Sequence, residues 1–155
     1  ARSLSPDDPY VANALGTLYC GQQRYAEAHR QFDVAAASAR NSAPWVAVAN
    51  SGLCYREQGR NSDAIDKLQQ ALQLNPRFSS ALLWLARLNY DAGTPSQARQ
   101  YINRYFEVSS PDAEGLWTAY QIETALGNGQ MAESYATMLR TRYPNASQTY
   151  RLLGL

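Results

Sequence analysis

The stretch GLCYREQGRNSDAIDKLQQALQLNP, from Gly52 to Pro76, decides the fold. It sets Gly, Tyr, Gly, Ala, Leu, Ala and Pro at fixed intervals, and the intervals recur. Steps of 34 residues lead from Gly59 to Gly93 and Gly127, from Ala64 to Ala98 and Ala132, and from Pro76 to Ser110 and Pro144. Three chemically distinct markers thus keep one period. An earlier copy carries Leu15, Gly16, Tyr19, Ala28, Phe32 and Ala35. Gly16 and Gly52 are 36 residues apart, so two residues are inserted near RNSAP (Arg40–Pro44).

Each marker has a physical reason. Small residues (Gly16, Gly52 and Ala86; Ala28, Ala64, Ala98 and Ala132) let two antiparallel helices approach closely, and Tyr19, Tyr55, Phe32, Leu68 and Ile102 fill the space beside them. Gly59, Gly93 and Gly127 fall at the turn that ends a first helix, where positive φ is easiest for glycine. The first copy has Gln23 there, which predicts a slightly different turn. Pro76 and Pro144 stop second helices. The pattern predicts helices near 9–22, 25–38, 45–58, 61–74, 79–92, 95–108, 113–126 and 129–142, and a short one near 146–153. Asn61, Thr94 and Asn128 stand where short polar side chains cap second helices.

A helical hairpin repeating every 34 residues has the length of the tetratricopeptide repeat. The expected fold is all-α: a tetratricopeptide-repeat superhelix, an α-solenoid, of four helical hairpins plus partial helices at both ends. No hairpin buries its apolar face alone, and stacking completes the core. Residues 1–155 then form a single array. Residues 1–8 are the tail of one repeat, 9–44, 45–78, 79–112 and 113–146 are repeats 1 to 4, and 147–155 begin a C-terminal capping helix. ARSLSP sets Ala1 five residues before Pro6, as ALQLNP sets Ala71 before Pro76. The chain is therefore expected to open inside the second helix of a repeat that starts upstream. Leu4 and the Tyr10–Leu15 segment are expected to fray there or to meet another molecule.

The composition narrows the function. With 45% hydrophobic and 17% charged residues this is a folding sequence. A net charge of +1 gives no basic stripe for nucleic acid. The sequence holds no run of about 18 apolar residues, so no helix long and apolar enough to cross a membrane is expected. Catalytic chemistry is thin. His29, the one histidine, sits beside Arg30 in a second helix and is expected to be solvated. Neither zinc-ligand spacing, nor a phosphate-binding glycine loop, nor a nucleophile elbow occurs. Asp7–Asp8 and the Asp63/Asp66 pair read as turn or solvated helix residues. No catalytic residue, metal site or cofactor is assigned, and the chain is not read as an enzyme. Cys20 and Cys54 are an even pair, compatible with a disulfide or with two buried thiols.

In this architecture first helices line the concave side. Numbering repeats from Pro9, Trp45, Ser79 and Ala113, positions 4, 7, 8 and 11 face the core, and positions 2, 5, 6, 9, 12 and 13 form a groove stripe. The stripe carries Tyr10, Asn13, Thr17, Asn50, Leu53, Arg56, Trp84, Arg87, Tyr90, Trp117, Gln121 and Thr124. Trp84 and Trp117 lie off position 4, where Leu82 and Leu116 stand. They are free to serve as binding anchors, a role for which Trp and Arg are enriched.

The segments GTLYCGQQRYAEAHRQF, NSGLC and LWTAYQIETALGNGQMAESYATMLRTRYPNAS together resemble the type IV pilus biogenesis/stability proteins, the PilW/PilF family of outer-membrane lipoprotein pilotins. The resemblance implies a protein held by an N-terminal lipid anchor at the periplasmic face of the bacterial outer membrane, an anchor this chain does not contain. It implies a noncatalytic adaptor whose partner is the secretin subunit of the pilus machine. It also places Cys20 and Cys54 where the family's paired cysteines occur, and so implies a disulfide between them. Two other functions remain open. One is an adaptor in another periplasmic or cytosolic complex, such as a co-chaperone gripping a peptide carboxylate. Asn50 fits that grip, but Lys67 is the single lysine. The other is an accessory repeat domain of an enzyme.

Overall fold

The computed structural model describes residues 7–155. The expected partial helix at residues 1–8, and Leu4 with it, falls almost wholly outside them. All regular structure among the described residues is helical. The helices are α1 (Pro9–Gly21), α2 (Tyr25–Ala37), α3 (Pro44–Glu57), α4 (Asn61–Leu74), α5 (Ser79–Asp91), α6 (Pro95–Val108), α7 (Ala113–Ala125), α8 (Gly129–Arg142) and α9 (Ser147–Leu152). They follow one another as helical hairpins. α3 starts at Pro44 rather than at 45, because proline suits the first turn, where its missing N–H has no helical partner anyway. The two inserted residues lie in the α2–α3 connection, residues 38–43, where 75–78 and 109–112 make the corresponding links. Asn41 holds this longer link: its amide donates to Ala35 O at 2.7 Å and its Oδ1 accepts from Ala43 N at 2.9 Å.

The chain divides into two compact units, Ala1–Ala81 and Leu82–Leu155. In the first, α1 packs on α2, α2 on α3, and α3 on α4. Gly16 permits the first contact. A Cβ there would lie 2.5 Å from Cε1 of Phe32, whose ring is buried against Ala28 and Cys54. Gly52 does the same for α3 and α4, with Leu68 and the Ala64 carbonyl directly beneath it. Phe32 and Leu68 are essentially inaccessible to water, and each such side chain contributes about 1.5–3 kcal/mol of apolar burial.

In the second unit α6 packs on α7, α7 on α8, and α9 covers both α7 and α8. Leu85, Ile102, Leu116, Ile122 and Leu139 are buried. Asp112 organises the start of α7: one carboxylate oxygen accepts from Gly115 N at 2.9 Å, the other from the Tyr105 hydroxyl at 2.9 Å. Thr149 ties α9 to the end of α8 by donating to Tyr143 O at 2.6 Å.

Three local expectations are corrected. The turn at Gln23 is the glycine turn after all. Gln23 adopts φ 61°, beside 74°, 79° and 73° at Gly59, Gly93 and Gly127. The same bonds close all four turns, here Gln23 N to Cys20 O at 3.0 Å and Arg24 N to Tyr19 O at 2.8 Å. The packing of α1 on α2 fixes the chain reversal and overrides the residue's own preference. Of the three expected caps only Asn128 accepts a backbone N–H, from Met131. Asn61 is already inside α4, and the Thr94 hydroxyl turns back to Asn89 O at 2.9 Å. His29, expected in solvent, is half-buried and fully bonded.

Candidate functional site

In the first unit the stripe residues of α1 and α3 meet over an open cleft of about 380 Å³. Thr17, Asn50 and Leu53 line it, together with Tyr25, Phe32, Glu57 and both cysteines. Asn50 and Asn13 are bonded across the two helices, Nδ2 to Oδ1 at 2.9 Å, which leaves the second amide hydrogen of Asn50 and the second lone pair of the Asn13 oxygen for a ligand. Thr17 is exposed, but its hydroxyl donates back to Asn13 O at 3.2 Å. Leu53 and Arg56 are half-buried, and Arg56 faces Glu57 at 3.6 Å. Tyr10 is 71% exposed, on the stripe but away from the cleft lining.

Part of the lining of this cleft is covalent. Cys20 and Cys54 form a disulfide with Cα atoms 5.9 Å apart, across a sequence separation of 34. It ties α1 directly to α3 and so fixes the distance between the helices that carry the stripe.

His29 supports the same unit from behind. Its ring stacks on Tyr55 at 3.9 Å. The Gln58 amide nitrogen lies 2.8 Å from Nε2 and can only donate, so Nε2 accepts and Nδ1–H donates to Ser51 Oγ at 2.8 Å. Burial pushes the His29 pKa below its ordinary value; Asp33 opposes this and Lys67 and Arg60 reinforce it. The neutral ring is therefore a structural joint between α2 and α3. Arg99 occupies the corresponding place in α6 and pairs with the buried Glu123 of α7 at 2.8 Å. Nothing in the residues next to His29 announced this role, since Tyr55 lies 26 residues ahead.

In the second unit Trp84, Arg87, Tyr90, Trp117 and Gln121 are all half-buried, while Thr124 is exposed. The Arg87 guanidinium lies 4.9 Å from the Trp84 ring centre and 3.6 Å from the Glu114 carboxylate. Trp117 stacks on Tyr120 with centroids 5.5 Å apart. Arg87 and Trp117 line a second, small cleft together with Glu114, Thr118, Gln148 and Arg151. The last two come from α9, a helix expected from the repeat pattern only to cap the array. Among the described residues no group of His, Cys, Asp or Glu is arranged to hold a metal ion.

A model of the tetratricopeptide repeat matches residues 13–68 and again 50–114. The chain belongs to the tetratricopeptide-repeat family. Repeats of this kind form protein–protein interaction modules. No curated protein sequence matches this repeat protein significantly. Among solved structures it is similar to PilW, a widely conserved type IV pilus biogenesis factor, with 32% identity and a TM-score of 0.84. The match covers 96% of this chain and 69% of PilW. PilF of Pseudomonas aeruginosa matches at 22% identity and a TM-score of 0.79, over 95% of this chain and 66% of PilF. YrrB, a repeat protein with an unusual peptide-binding site, shares the fold at 16% identity and a TM-score of 0.75, over 96% of this chain and 76% of its own. The chain thus spans about two thirds of the pilus proteins it matches.

Proposed function

We propose that this repeat protein is a noncatalytic adaptor of type IV pilus biogenesis, a pilotin that brings the secretin subunit to the outer membrane and promotes its assembly. The observation that carries the reading is the 32% identity to PilW over nearly the whole of this chain. The Cys20–Cys54 disulfide supports an oxidising compartment, consistent with the periplasmic face of the outer membrane. A lipid anchor on the full-length protein belongs to the same proposal.

The working surfaces are the stripe residues of first helices in each unit. In the first they are Asn13, Thr17, Asn50, Leu53 and Arg56, in and beside the cleft that the disulfide helps to line. In the second they are Trp84, Arg87, Tyr90, Trp117 and Gln121. Flat apolar rings beside side-chain donors suit a segment that offers both apolar side chains and exposed backbone. If the indoles are anchors, Trp84→Ala and Trp117→Ala each weaken secretin binding by about 2 kcal/mol, roughly thirtyfold, with the helical fold retained. Binding and secretin-ring assembly are measured with the purified full-length protein. Folded variants that bind and assemble normally would move the site, and the second-helix faces bearing Arg30, Lys67 and Arg99 would be examined next.

A further inference from the structure

The small cleft of the second unit has an uneven charge. Arg87 and Arg151 line it with one carboxylate, Glu114, between α5, α7 and α9. The Arg87–Glu114 pair is loose, at 3.6 Å with side chains 38% and 53% exposed, and such a pair contributes little and is easily displaced. Arg151 has no ion-pair partner among the described residues. A guanidinium fork offers paired donors that match a carboxylate. Beside the two arginines stands Trp117, held by its stack on Tyr120, so a flat apolar wall adjoins the cationic cleft.

We infer that this cleft is a subsite for an acidic side chain, Asp or Glu, flanked by apolar residues in an extended partner segment. The carboxylate would sit between Arg87 and Arg151, with Gln148 as a further donor, and the neighbouring apolar side chain would lie on Trp117. The inference deepens the adaptor reading and rests on it, because it specifies what one half of the binding surface prefers. It differs from a grip on a chain terminus, since the cleft is built partly by α9 and the acid is internal to the segment. The net charge of +1 concealed it: the excess is local.

The test uses the isotopically labelled full chain and two capped pentapeptides, one with aspartate between two leucines and the other with asparagine. The aspartate peptide is expected to shift the Arg87 and Arg151 side-chain N–H signals and the Trp117 indole signal. It should bind about tenfold more tightly than the asparagine peptide at low salt, an advantage that shrinks as ionic strength rises. Arg151→Gln should erase most of that preference, whereas Arg142→Gln on α8 should leave it intact. Equal affinity of the two peptides, failure of both to bind, or a preference that survives in Arg87→Gln and Arg151→Gln overturns the inference. Equal binding that still moves Trp117 would sink the acid preference and leave the adaptor surface standing. Normal secretin binding by the two tryptophan variants would sink that surface while the peptide comparison still decides the subsite.

Discussion

Gln23→Gly should stabilise the first unit, and the turn geometry sets the size of the effect. Four equivalent turns end α1, α3, α5 and α7, and in each the residue after the cap has positive φ. Glycine fills three of them, and a Cβ at Gly59, Gly93 or Gly127 would touch nothing within 4 Å. The cost of a side chain in this turn is therefore one of backbone conformation, not of crowding. An L-residue in the left-handed region loses roughly 1–2 kcal/mol, and glycine gives back about 0.5–1 kcal/mol through its greater freedom in the unfolded chain. The net gain for Gln23→Gly is about 0.5–1 kcal/mol. Repeat arrays open locally, so hydrogen exchange reads the effect better than a single melting curve. The amides of Gln23 and Arg24, which close the turn on Cys20 O and Tyr19 O, should exchange up to about fivefold more slowly. Gly59→Gln should produce the mirror-image loss at Gly59 and Arg60. If Gln23→Gly speeds exchange, or if both substitutions are neutral, the left-handed conformation is not what limits this turn.

Other consequences are equally direct. The unreduced, unfolded protein should show no free thiol; replacing both cysteines by Ser should cost about 4 kcal/mol, as expected for closing a loop of this length, and two titratable thiols would contradict the bond. Gly16→Ala should destabilise by about 1–3 kcal/mol in denaturant unfolding, because its Cβ would meet the buried Phe32 ring, while Gly21→Ala, with open space around it, should be neutral or mildly stabilising. His29 should titrate below its ordinary 6.5 by NMR, because the folded state favours the neutral ring. The unfolded chain then binds more protons as pH falls below 6.5, so the contribution is complete above that value and is lost as pH drops through the folded midpoint. His29→Gln should flatten this part of the pH–stability curve, and an unchanged curve would refute the joint.

The period was legible because its markers are backbone requirements. Small residues at helix crossings and a turn glycine recur wherever the same geometry does, and α4, α6 and α8 have the bounds expected from the spacing. What escaped was set by residues distant in sequence. Gln23 keeps a glycine-like conformation because the contact of Gly16 with Phe32 dictates where α2 must run. His29 is drawn out of solvent by Tyr55, Ser51 and Gln58, all on the next repeat. Arg151 sits in a short helix that the repeat pattern treats as an end, so its approach to Arg87 and Trp117 could not be seen in one repeat frame. The stripe assignment itself rests on helical spacing alone, and each unit carries its own set of these residues.

The joints between second helices and the first helices that follow them carry a consequence for how such a molecule could have been built. A solenoid invites the picture of identical bricks, any of which could be copied, removed or reordered. Here the bricks are keyed. The slot that holds His29 against Tyr55 in one unit holds Arg99 against Glu123 in the other. Exchange of the two second helices would take away the guanidinium that binds both oxygens of the buried Glu123 and set in its place an imidazole, whose own slot favours the neutral form. The two joints are thus not interchangeable. At these two joints the choice of neighbour is written into side-chain chemistry.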